Sequence, residues 1–171
     1  MTPSLEALNR LGRDEFRRLL GEVFEHSPWV AERAFDTRPF ASVEALHAAM
    51  VAAVRRASRE EQLALIRAHP DLAGKAARAS AMSATSVAEQ SSAGLDRLTD
   101  EEYARFERLN AAYREKFGFP FIIAVSRHDK HAILAAFEAR LRNGLDDEVQ
   151  AALAQIAEIA RLRLDALAKE R

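Results

Sequence analysis

The chain has 171 residues, 49% hydrophobic and 30% charged, with 25 Lys and Arg against 26 Asp and Glu for a net charge of -1. That length and balance predict one soluble domain able to bury a core, and near-neutral charge withholds the basic footprint of a nucleic-acid binder. The absence of cysteine removes disulfides, thiolate nucleophiles and sulfur-ligated zinc sites.

The start, Met1-Thr2-Pro3-Ser4-Leu5-Glu6, is followed by charges every few residues, unlike a signal peptide. Nowhere do about 18 apolar residues run together as a membrane span requires, and the final Ala168-Lys169-Glu170-Arg171 is no peroxisomal or retention signal. A cytoplasmic location is the default expectation.

Helical periodicity dominates. Phe16, Leu19, Leu20, Val23 and Phe24 form one apolar stripe, and Ser27 before Pro28 and Ser42 before Val43 mark helix starts. His26 and His47 read as helix-surface residues. Ser58-Arg59-Glu60-Glu61 and Thr99-Asp100-Glu101-Glu102 are capping boxes, in which hydroxyl and carboxylate reciprocally satisfy the first-turn N–H groups. Ser86 and Glu89 repeat the same pattern. The Ala- and Ser-rich stretch from Ala79 to Ser92, whose one charge is Glu89, has the composition of a flexible linker.

Gly118 after Phe117 predicts a left-handed helix stop, and Asn143-Gly144 after Arg142 predicts another. Phe121-Ile122-Ile123-Ala124-Val125, between Pro120 and Ser126, reads either as a short buried extended segment or as a helix start; no second alternating run exists to pair with it. Asp146, Asp147 and Glu148 suit the first turn of a long last helix, whose stripe includes Ile156, Ile159, Leu162 and Leu167. The fold class is therefore all-α: a single-domain bundle of roughly eight helices over residues 1–171.

Helix ends expose backbone N–H and C=O groups that can grip a ligand, so the polar residues at three mid-chain interruptions are the candidate site. His69 can exchange protons near neutral pH, and Pro70 forces it out of helical geometry; its structural reading is a histidine bonded to a last-turn carbonyl. Ser86 and Glu89 read as a cap first, with Gln90 an addition that a cap does not need. The aromatics of Phe117-Gly118-Phe119-Pro120-Phe121 pack and turn the chain, while the extended stretch beyond leaves backbone groups for the amide edges of a planar ligand. His128-Asp129-Lys130-His131 lacks the spacing of a metal motif, and no metal is expected. Arg161 and Arg163 are solvated or pair with an anionic substrate.

Taken together these residues resemble the 2-oxo-4-hydroxy-4-carboxy-5-ureidoimidazoline (OHCU) decarboxylases of urate degradation. The resemblance runs through nearly the whole chain: Glu25-His26-Ser27-Pro28-Trp29-Val30, Arg38-Pro39-Phe40, His69-Pro70-Asp71-Leu72-Ala73, the segment from Ser86 to Leu95, Phe117 to Val125, and Ile159-Ala160-Arg161-Leu162-Arg163-Leu164. It implies an all-helical homodimer that uses no cofactor and converts OHCU to (S)-allantoin and carbon dioxide. The family's catalytic histidine falls on His69 and its essential glutamate on Glu89. Its substrate-binding positions fall on Pro70, on Ser86, Val87, Ala88, Glu89 and Gln90, on the backbone of Phe121, Ile122, Ile123, Ala124 and Val125, and on Arg163, with Arg161 the alternative in the same motif. Two other readings stay open on residues alone: a helical module that binds a partner protein through its apolar faces, and a fold that binds pathway compounds without turnover. Spatial convergence of the polar residues separates the first from an enzyme, and an assay separates the second.

Overall fold

The computed structural model describes residues 4–73 and 84–169, which hold nine α-helices and no β-strand. By backbone proximity the chain divides into two units, Met1–Ala68 with Ala157–Arg171, and His69–Ile156, the second boundary falling inside the last helix.

The first unit carries α1 (Leu5–Leu8), α2 (Arg13–Leu20), α3 (Trp29–Phe35), α4 (Val43–Arg56) and α5 (Arg59–Arg67). Phe16 of α2 meets Phe35 edge-on at 5.4 Å and stacks with Phe40 at 6.3 Å, and Leu20, Val30, Ala34, Leu46, Met50 and Leu65 complete a closed apolar interior. Each Phe, Leu, Val or Met side chain taken fully out of water contributes about 1.5–3 kcal/mol, which outweighs helix propensity in fixing these short helices. Arg38 lies over the Phe35 ring at 3.6 Å and donates to the Leu11 carbonyl at 2.6 Å, so this motif arginine braces the turn before α4.

The starts of α4 and α5 follow the sequence reading: Ser42 caps the N–H of Ala45, and Ser58 with Glu61 forms the capping box. Three expectations change. Helix α2 stops at Leu20, so Val23 and Phe24 are buried by turns rather than by a helical stripe. His26 stands in those turns with a left-handed backbone, φ 46, and not on a helix surface, while the Ser27 hydroxyl donates to the Glu25 carbonyl at 2.9 Å instead of capping α3. His47 does lie on α4, half-buried, with Nε2 2.8 Å from the Ala157 carbonyl.

The second unit carries α6 (Ala84–Ser92), α7 (Asp100–Phe117), a 3-10 turn (Val125–Arg127), α8 (Lys130–Arg140) and the first part of α9 (Leu145–Lys169). Its core is aromatic. Tyr113 packs against Phe117, Phe119, Phe121 and Phe137, with Phe121 and Phe137 stacked at 3.9 Å. The turn that brings these rings together needs a positive φ, which Gly118 supplies at 78 while its N–H donates to the Arg114 carbonyl at 2.8 Å. The capping box at Thr99 and Glu102 opens α7 as expected.

Three local expectations are corrected in this unit. Residues Ala84–Ser92 are a helix, not a linker; the earlier part of that stretch, residues 79–83, lies outside the described residues. Ser86 stands inside α6 rather than before it, so Ser86 and Glu89 do not form a capping box, which requires a serine flanking the first turn. Gly144 is no left-handed stop: it precedes α9, and its carbonyl accepts the N–H of Glu148 at 3.0 Å.

Candidate active site

His69 follows the end of α5 and is 7% exposed, its departure from the helix set by Pro70. From His69 to Ala73 the chain belongs to no helix or strand, so its backbone groups need side-chain partners. Three consecutive residues obtain them. The Asp71 carbonyl accepts from Gln90 Nε2 at 3.3 Å, the Leu72 carbonyl accepts from Asn110 Nδ2 at 2.8 Å, and the Ala73 N–H donates to Gln90 Oε1 at 2.9 Å. Arg114 Nε adds an ion pair to the Asp71 carboxylate at 3.1 Å. Ala73 has φ 51, a left-handed conformation costing a non-glycine residue roughly 1–2 kcal/mol, so these bonds hold the loop in a shape it would not choose alone.

Helix α6 supplies the next group. Ser86 and Gln90 are both buried and stand four apart, on one face of the helix, while Glu89 is half-buried beside them. Val87 and Ala88 lie on the exposed side. The face that carries Ser86 and Gln90 is the one tied to the His69 loop through Gln90. The same helix packs against the 3-10 turn at Val125–Arg127.

That turn ends the segment Phe121, Ile122, Ile123, Ala124 and Val125, every residue of which is buried. Neither sequence reading holds in full: Phe121 to Ala124 belong to no helix or strand, Ala124 having φ -72 and ψ 84, and Val125 begins a 3-10 turn. The Ile122 carbonyl accepts from Arg140 Nη1 at 2.5 Å, and the Ala124 N–H donates to Gln155 Oε1 at 3.0 Å.

Behind the segment lies a charged cluster that sequence reasoning missed. Glu148 is 0% exposed, yet its Oε1 accepts from the Tyr113 hydroxyl at 2.6 Å and from Arg140 Nε at 2.6 Å, and its Oε2 accepts from Asn143 Nδ2 at 3.0 Å. A buried carboxylate tolerates desolvation only with such compensation. Burial, reinforced by the Glu148 carboxylate, pushes the Tyr113 hydroxyl far above its ordinary range, so it stays a neutral donor.

Arg163, in the first unit, is 7% exposed and pairs through Nη2 with Glu25, itself 2% exposed on its side chain, at 2.8 Å; its Nη1 donates to the Glu22 carbonyl at 3.2 Å. Arg161 is more open and pairs with Asp165 at 3.0 Å and Glu44 at 2.8 Å. The His128 to His131 stretch serves helix α8: Asp129 caps the N–H of Ala132 at 2.8 Å and Lys130 pairs with Glu102 at 2.7 Å. Among the described residues no cluster of three or more His, Asp or Glu has a metal-holding arrangement.

Asn110 had a sequence signal: an amide residue in the interior of α7, where it is a poor helix former, points to a side-chain duty. Arg140 and Gln155 had none beyond their place on amphipathic helices. The structure thus brings the His69 loop, the Ser86 and Gln90 face and the 121–125 segment into one unit built around α6, with buried polar side chains fixing irregular backbone. That arrangement suits binding and orienting a small planar polar molecule.

A family profile described as OHCU decarboxylase matches residues 9–165. The chain is 50% identical over 161 residues to the 2-oxo-4-hydroxy-4-carboxy-5-ureidoimidazoline decarboxylase of Haloferax volcanii, a match covering 94% of each. It is 44% identical over 161 residues to the uric acid degradation bifunctional protein PucL of Bacillus subtilis, covering 94% of this chain and 32% of that one. Among solved structures it resembles an OHCU decarboxylase crystallised in the presence of (S)-allantoin, with a TM-score of 0.70 and 25% identity over 91% of this chain and 98% of that one. It also resembles an (S)-allantoin synthase, with a TM-score of 0.74 and 33% identity over 96% of this chain and 54% of that one, so it spans about half of that protein.

Proposed function

The chain belongs to the OHCU decarboxylase family, and from that premise we propose that His69 with Pro70, α6 and the 121–125 segment form the substrate site of a carbon-carbon lyase. The reaction is decarboxylation of OHCU to (S)-allantoin and carbon dioxide in urate degradation. The observation that carries the site assignment is the double hydrogen bond of Gln90 to the His69 loop, which joins two elements of the resemblance.

Loss of carbon dioxide leaves an electron pair that needs a sink. OHCU carries one in its ring C=N, adjacent to the carboxylated carbon. His69 exchanges a proton with the substrate hydroxyl as the carbon–carbon bond breaks, and the electron pair moves into the ring to give an enol-like species. Protonation at the neighbouring, ureido-bearing carbon on one face, with loss of the hydroxyl proton to leave a carbonyl at the former carboxylated carbon, then gives the S product. Glu89 orients or electrostatically tunes His69. Gln90, Ser86 and the backbone from Phe121 to Val125 clamp the ureido and ring amides, so acceleration comes from orientation and water exclusion. The resemblance assigns Arg163 to an anionic or carbonyl oxygen of the same substrate. A homodimer working in the cytoplasm is part of this proposal, the dimer resting on the resemblance.

The test generates OHCU in situ from urate with urate oxidase and hydroxyisourate hydrolase, then follows its decay and the circular dichroism of the product. Faster decay to optically active (S)-allantoin is expected. Spontaneous-rate decay to racemate, with the protein folded, would overturn the proposal.

A further inference from the structure

Resting on the reading that residues 121–125 hold the substrate, we propose that Arg140 is a positioning residue for the reaction. It acts through the Ile122 carbonyl, with Gln155 as the second mount at Ala124, and together they aim the N–H and C=O of Ile123 at the amide edge of the ligand.

The peptides on both sides of Ile123 are trans, so each carbonyl points opposite to the N–H that follows it. Arg140 Nη1 fixes the direction of the Ile122 carbonyl at 2.5 Å, which sends the Ile123 N–H the other way. Gln155 Oε1 fixes the Ala124 N–H at 3.0 Å, which likewise sets the Ile123 carbonyl. Among the described residues neither Ile123 group has a hydrogen-bond partner, although the residue is buried. A donor and an acceptor on one residue, both unspent and both directed by their neighbours, complement the N–H and C=O of a ureido group.

Arg140 is built for holding rather than for stability alone. Its Nε is locked on Glu148 at 2.6 Å, and its plane lies 4.3 Å from the Phe121 ring centre, so the rigid fork leaves Nη1 one direction. Its Nη2 is buried with no hydrogen-bond partner among the described residues. A buried ion pair is weak evidence of stabilisation, and one that strands a guanidinium nitrogen is weaker still. What the cluster secures is the geometry of the segment in front of it.

The test measures KM, kcat and Tm for Arg140→Lys, Gln155→Met and Ile133→Ala, using OHCU generated in situ. Lysine replaces the rigid fork with one flexible ammonium and so loses the fixed angle between the bonds to Glu148 and Ile122, and methionine removes the acceptor at Ala124 while keeping bulk. Both are expected to raise KM about tenfold, the effect of one misplaced hydrogen bond. Ile133→Ala, a core truncation on the same helix that leaves the fork in place, should lower Tm without moving KM. If Arg140→Lys does not fold, Gln155→Met decides. Wild-type KM in the folded mount variants would overturn the proposal. In wild type, a shift of the Ile123 amide resonance on adding (S)-allantoin is expected; its absence would overturn the substrate reading of the segment, whereas a shift with unchanged KM in the variants would overturn the role of Arg140 and Gln155 alone.

Discussion

The side-chain oxygen of Gln90 accepts the backbone N–H of Ala73 at 2.9 Å, while its nitrogen donates to the Asp71 carbonyl at 3.3 Å. A neutral amide offers an acceptor and a donor side by side, and here both are spent on the loop that begins with His69. This makes Gln90 a holder of the proposed catalytic loop as well as a substrate-binding position. Gln90→Glu keeps the acceptor for Ala73 but sets a second oxygen against the Asp71 carbonyl. It is expected to lower kcat/KM by about tenfold or more, because a buried polar group left without its partner costs about 1–3 kcal/mol. Steady-state kinetics on OHCU generated in situ checks this, and unchanged kcat/KM would show that the loop does not depend on that bond.

Because Ser86 lies within α6, Glu89 has no capping box to maintain, and Glu89→Gln reads the carboxylate charge with little effect on the helix. Turnover should fall by about two powers of ten if that charge tunes His69, with far-ultraviolet circular dichroism unchanged. His69→Ala should lose about two to four powers of ten in the same assay while remaining folded. Full turnover in Glu89→Gln would leave the carboxylate a packing role.

What the sequence makes legible here is what is encoded locally. The boxes at Ser58 and Thr99 and the left-handed stop at Gly118 need only residues within one turn, and all three form. Ser86 and Glu89 carry the same letters without the same structure, since the helix has begun by Ala84 and a cap depends on where the helix starts. Glu148 shows the other failure. Its place in the first turn of α9 is legible from the acidic run, but its burial is decided by Tyr113, 35 residues earlier, and by Arg140. Periodicity reports which face is apolar; it carries no signal for a polar partner arriving from another helix. The site elements were therefore found as helix ends and as a family pattern, and the bonds that fix them only in three dimensions.

Arg163 and Glu25 form a buried pair at 2.8 Å, with side-chain exposures of 7% and 2%. Removing one partner of such a pair leaves the other charge desolvated, which typically costs about 3–5 kcal/mol. Glu25→Ala should therefore destabilise the fold by that order in urea unfolding, far more than Glu44→Ala, whose carboxylate pairs with the more open Arg161. Equal, small effects in both variants would show that Glu25 does not carry the Arg163 charge.

Glu102 is held at a pKa of about 2, against an ordinary 4.5, chiefly by its hydrogen bond from Lys130 and then by the backbone N–H of Thr99. The folded-state value is the lower one, so the linked stabilisation is complete above the unfolded-state pKa and is lost as pH falls from about 4.5 toward 2. Tm measured across that range should fall more steeply for wild type than for Glu102→Gln, because the glutamine variant has no proton to take up at this position. The two curves should converge at the acid end, where a protonated Glu102 and a glutamine are alike in charge. In Lys130→Met the fall should be smaller and should end at higher pH, since the largest cause of the depression is gone while the Thr99 N–H remains and the unfolded-state pKa, which sets the onset, is unchanged. Parallel wild-type and Glu102→Gln curves would mean that the cap of α7 and the start of α8 are not joined through this pair in solution.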